Sequence, residues 1–147
     1  MLLFRFTWLL FSYTFILDFM SGLQMMSNST ESLENGESLL GTMDGDLDEA
    51  RRMARLFFET GSLQMDEMLA ACRDRKREAM LFHVHKCAGG AAACGFDVLA
   101  CQLQNFEKEG LDMNWNNASQ ACADLIQLFA ETRNSVDRYF EDQSGQS

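Results

Sequence analysis

The 147-residue chain contains no proline. Proline removes a backbone donor and clashes with the preceding turn, so its absence lets helices run to any length the side chains support. Ala, Leu, Met, Gln and Glu, all good helix formers, are plentiful. The expectation is an all-α fold.

Apolar residues then set the helix positions. Over 46–60, acids occupy the first turn and Leu47, Ala50, Met53, Ala54, Phe57 and Phe58 recur at spacings of three and four, with Gly61 just past the end. Ser62 is a candidate N-cap for a second helix from Leu63 to Cys87, stopped by Gly89-Gly90. A third is expected from Ala91 to Glu109, and a fourth, capped by Asn117 with Gln120 completing a capping box, from there to Asp142. Four helices with short connections predict an up-down four-helix bundle over 46–142, ending in a polar tail, 143–147.

The N-terminal part has a different character. Arg5 and an apolar run from Phe6 to Leu17 have the shape of a signal peptide over 1–22, with an uncleaved membrane anchor or a buried apolar helix of a soluble protein as the alternatives. Residues 23–45 are rich in Ser, Asn, Glu and Gly and are expected to form a flexible acidic leader in which Leu39-Leu40 docks only transiently. Secretion is the expected route. The sequons at Asn28 and Asn117 are compatible with it.

All five cysteines lie between Cys72 and Cys122, at spacings of 15, 7, 7 and 21 residues. Residues seven apart on one helix are separated by about 10.5 Å along its axis, too far for a disulfide. Cys94 and Cys101 therefore do not pair within one helix. A chain reversal at Ala88-Gly89-Gly90 would bring Cys87 opposite Cys94, and one near residues 110–116 would bring Cys101 opposite Cys122. Two such staples leave Cys72 as a free thiol or an intermolecular link to a second copy.

The formal net charge of −10 would repel phosphate backbones, so nucleic acid is a poor partner. The dense basic run Arg73–Glu78 reads as a solvated helix face. His83 and His85 point about 200° apart on a helix and cannot share a metal, although His83 and Cys87 could approach one. An EF-hand loop opening at Asp44 would need Gly and an acid where Glu49 and Arg55 stand. No nucleophile-elbow serine or isolated carboxylate pair suggests catalysis. The expectation is no cofactor and no enzyme. The chain reads as a secreted ligand or effector that binds a protein partner through the basic face of the second helix. The alternative is a carrier holding an apolar molecule among Met53, Phe57, Met68, Met80, Leu99 and Phe129.

Overall fold

The computed structural model describes residues 36–146, which contain five helices and no strand. They are α1 (Glu37–Thr42), α2 (Leu47–Arg73), α3 (Arg77–Ala93), α4 (Asp97–Glu109) and α5 (Trp115–Gly145). The signal-peptide segment 1–22, the sequon at Asn28 and most of the acidic leader lie outside the described residues. Each long helix packs on the next in sequence, and α5 returns to pack on both α4 and α2.

Four of the five helices are long, as many as the periodicity predicts, but α1 lies in the expected leader and two reversals fall elsewhere. Gly61 does not end a helix: α2 runs straight through it, and the Ser62 hydroxyl donates to the Phe58 carbonyl instead of capping. A Cβ at position 61 would lie 2.7 Å from the Phe129 ring, so this glycine serves the close approach of α5 to α2. Likewise α3 continues through Gly89-Gly90 to Ala93, with Gly90 against the Phe57 ring.

The actual reversals share one backbone device. After α3, the Phe96 amide donates to the Ala91 carbonyl and the Gly95 amide to that of Ala92, while Gly95 sits at φ 72°. This is a Schellman termination, which needs a left-handed residue just past the helix. The turn after α2 repeats it with Lys76 donating to Ala71, Arg75 donating to Cys72, and Arg75 at φ 55°. The turn after α1 repeats it again around Asp44 at φ 53°. A left-handed arginine costs about 1–2 kcal/mol. Arg75 is exposed, so Arg75→Gly should raise the stability by about 0.5–1 kcal/mol after the added flexibility of the unfolded chain is subtracted. A urea midpoint that rises with unchanged slope is the expected result; an unchanged or lower midpoint contradicts it.

What offsets the Arg75 strain lies two residues on. Arg77 donates from one guanidinium nitrogen to the Gly110 carbonyl and from the other to the Met113 carbonyl at 2.7 Å. Its guanidinium carbon also lies 4.5 Å from the centre of the Trp115 ring. The first turn of α3 is thereby tied to the α4–α5 connection. The basic run is thus a turn and an anchor, not the continuous helix face expected of it.

At the other end of the molecule, Phe57 and Phe58 on α2 meet Phe96 and Phe129. Phe58 stacks on Phe96 at 5.4 Å between centroids and lies edge-on to Phe57 and Phe129. The α1 helix belongs to this unit: Leu39 is buried in the same core, so the end of the acidic leader is ordered and helical. At the far end, the residues expected as a polar tail extend α5 to Gly145, where Arg51 bonds the Phe140 carbonyl and the Ser144 hydroxyl.

Asn114, rather than Asn117, caps α5, its side-chain oxygen accepting from the Asn117 amide at 2.9 Å. Gln120 bonds Asp124 instead of reaching back to the cap. Asn117 itself is exposed in the first turn.

Candidate functional site

The five cysteines are free thiols. The expected Cys87–Cys94 staple fails because no reversal separates them: Cys87 is inside α3 and Cys94 is the C-cap of the same helix. The rise that forbids Cys94–Cys101 pairing on one helix applies here instead. Cys101 and Cys122 are not bridged either, Cys101 being exposed on α4 and Cys122 fully buried beside Met80. Cys72 is free and buried, its sulfur 4.0 Å from the Ser119 hydroxyl, so the accessible thiol is Cys101. Burial pushes the Cys87 and Cys122 thiols up to about 12, with Cys72 adding to the shift at Cys122, and raises Cys94 in the same direction. A thiol held neutral is neither a nucleophile nor a metal ligand.

The carrier residues divide. Met68, Met80, Leu99 and Phe129 are packed into the core, while Met53 and Phe57 line a groove of about 330 Å³ between α2 and α3. Among the described residues no group of three or more His, Cys, Asp or Glu side chains could hold a metal ion. His83 is half-buried and its Nδ1 meets the Gln64 amide oxygen at 2.8 Å, leaving it on a different side of α3 from His85. No described helix is long and apolar enough to cross a membrane.

What remains is His85. The buried stripe of α3 is Met80, Val84, Cys87, Ala88 and Ala91, and this phase puts Glu78, Phe82, His85 and Gly89 outside it. The His85 side chain is 70% exposed, midway along a rigid helix. Its Nδ1 lies 2.8 Å from Oε1 of Glu107 on α4. An ionised carboxylate can only accept, so when the ring is neutral this contact favours the Nδ1–H tautomer, which leaves the lone pair on Nε2. Glu107 thereby orients the ring.

The surroundings suit contact with another macromolecule. His85 opens into a groove of about 650 Å³ walled by Glu78, Leu81 and Phe82 from α3. Gln104, Glu107, Lys108 and, just past α4, Leu111 form the other wall. Phe82 is 53% and Leu111 63% exposed, and both line this groove. One turn beyond His85, Gly89 presents no side chain, and a Cβ there would meet nothing within 4 Å. Lys86 lies over the Phe82 ring at 4.7 Å.

Sequence reasoning judged the histidines only against each other and Cys87, and so passed over the His85–Glu107 pair. The pair joins two helices and lies 22 residues apart in sequence, so it emerges only once the turns are placed. Comparison with protein-family models, with curated proteins and with solved structures finds no match to this chain.

Proposed function

We propose that this chain works by binding a protein partner, and that His85 is the group on which the partner acts, receiving a phosphoryl group on Nε2 and passing it on. The four long helices act as an up-down bundle that holds His85 and Glu107 in fixed relation. The observation that carries the reading is the exposed imidazole with Nδ1 engaged by a carboxylate, set on a face bearing Phe82 and Leu111.

An imidazole in an open groove has no enclosed substrate pocket around it, so its reaction partner arrives on another surface. Exposed Phe82 and Leu111 supply apolar area for that encounter. The step balances without any proton leaving the protein. The Nε2 lone pair attacks phosphorus, and the bond from phosphorus to the donor atom breaks. The donor's leaving group, a carboxylate from an acyl phosphate or an imidazole from a phosphohistidine, departs with that electron pair. The ring takes up one positive charge, Nδ1 keeps its hydrogen, and the Glu107 carboxylate offsets the new charge. A nitrogen–phosphorus bond is a high-energy linkage, so the donor must be comparably activated: an acyl phosphate on a partner protein's carboxylate, or another phosphohistidine.

That chemistry belongs where activated phosphoryl donors are made. Of the readings of the N-terminal apolar run, it goes with an uncleaved anchor or a buried apolar helix rather than a cleaved signal, and with thiols that stay reduced. Secretion with glycosylation at Asn117 is the competing proposal, and the intact mass of the protein purified from its source separates the two.

The test is incubation of the full chain with phosphoramidate, a small-molecule phosphoryl donor, followed by intact-mass and acid-stability measurements. One phosphoryl group that is lost in acid and retained in base is expected. His85→Asn should abolish it and His83→Asn should leave it. No labelling, or labelling that survives His85→Asn, overturns the reading.

A further inference from the structure

Phosphorylation of His85 would place a group of charge about −2 in a groove that already holds two carboxylates, Glu107 and Glu78. Like charges at such range repel. A phosphorylated state that persists long enough to be handed on therefore needs a counter-charge in the groove.

Among the residues lining it, Lys108 is the one cation. Lys108 stands in the last turn of α4, next to Glu107 and four residues after Gln104, so Gln104, Lys108 and Leu111 share one face of the α4 end. Lys86, the residue after His85, lines the other groove, between α2 and α3, with its ammonium over Phe82. We propose that Lys108, with the Gln104 amide beside it, forms a phosphoryl-binding subsite that holds the group on His85 Nε2, while Glu107 holds Nδ1.

The division of labour follows from position. Glu107 and Lys108 are adjacent in sequence but point about 100° apart on the helix, so the same short segment offers an acceptor to the ring and a donor to the phosphoryl oxygens. A lysine is suited to this second task as a mobile point charge with three donors. The subsite rests on the phosphoryl reading of His85, and its experiment is built to fail separately.

The full chain is labelled with phosphoramidate, the donor is removed, and loss of the phosphoryl group is followed by intact mass at neutral pH for wild type, Lys108→Met, Lys108→Arg and Lys86→Met. Loss should be about fivefold faster in Lys108→Met, close to wild type in Lys108→Arg, and unchanged in Lys86→Met. Added salt should narrow the difference between wild type and Lys108→Met by screening the ion pair. Thermal melting of each variant checks that the helices are intact, since Lys108 is exposed. If wild type takes up no phosphoryl group, the reading of His85 fails. If it is labelled and Lys108→Met loses the group no faster, or the acceleration appears in Lys86→Met instead, the subsite is overturned while His85 stands.

Discussion

Raising the pH from about 9 towards 12 is expected to unfold the helical unit, and the buried thiols are the cause. In the unfolded chain each thiol ionises near its ordinary value of about 9, while in the folded state Cys87 and Cys122 hold their protons to about 12. A group whose pKa is raised by folding supports the folded state fully below the unfolded value. That support is withdrawn as the pH climbs through the interval between the two values. Each thiol removes about 1.4 kcal/mol per pH unit over that interval.

From pH 9 to 11 the two together withdraw about 5 kcal/mol, which reaches the lower end of the 5–15 kcal/mol typical of a domain. Cys94 and Tyr139, both raised by burial, act with the same sign. Denaturant titrations at half-unit steps of pH should show stability falling through this range. In Cys87→Ala/Cys122→Ala the neutral-pH stability is lower, from two small cavities, but the slope against pH is expected to be markedly flatter. Equal slopes in the two proteins would contradict the assignment.

The second large effect is expected from Phe58→Ala. Phe58 is 1% exposed and touches Phe57, Phe96 and Phe129, side chains that come from α2, from the α3–α4 turn and from α5. Removing a buried phenyl ring costs about 3–5 kcal/mol in transfer and cavity terms. Because three elements meet on this ring, the cavity cannot collapse by shifting one helix, so the upper part of that range applies. Chemical denaturation should show a loss of about 4–5 kcal/mol. A loss below about 2 kcal/mol would mean that the cluster repacks and does not fix the relative positions of α2 and α5.

Helical content was legible from periodicity and from the absence of proline, and the apolar stripes of α2 and α5 were found in phase. The turns were not, for a physical reason. A glycine marks a helix end only when its φ is used, as at Gly95; at Gly61 the small side chain admits the Phe129 ring, and the helix goes on. Conversely, the α2–α3 reversal is made by Arg75, a residue type that seldom adopts positive φ, so nothing local announces it. That one error moved the phase of α3 and placed His83 instead of His85 near the predicted core face. The Cys87–Cys94 staple rested on a separate misreading, a reversal at Gly89-Gly90 where α3 in fact continues to Ala93. Four of the five cysteines turned out to be core side chains, a frequent fate for this small apolar residue. The His85–Glu107 pair lies 22 residues apart in sequence and joins two helices, so no spacing rule exposes it before the turns are placed.

His85 presents Nε2 because Glu107 holds Nδ1. The most direct measurement is a long-range proton–nitrogen NMR spectrum of the histidine side chains in the full chain, taken before and after reaction with phosphoramidate. Before reaction, the neutral His85 ring should be the Nδ1–H tautomer, and Glu107→Gln should weaken that preference. After reaction, the phosphorus should be coupled to Nε2 of His85. Phosphorus on Nδ1, on His83 or on neither ring, or a His85 ring in the Nε2–H form, would contradict the account.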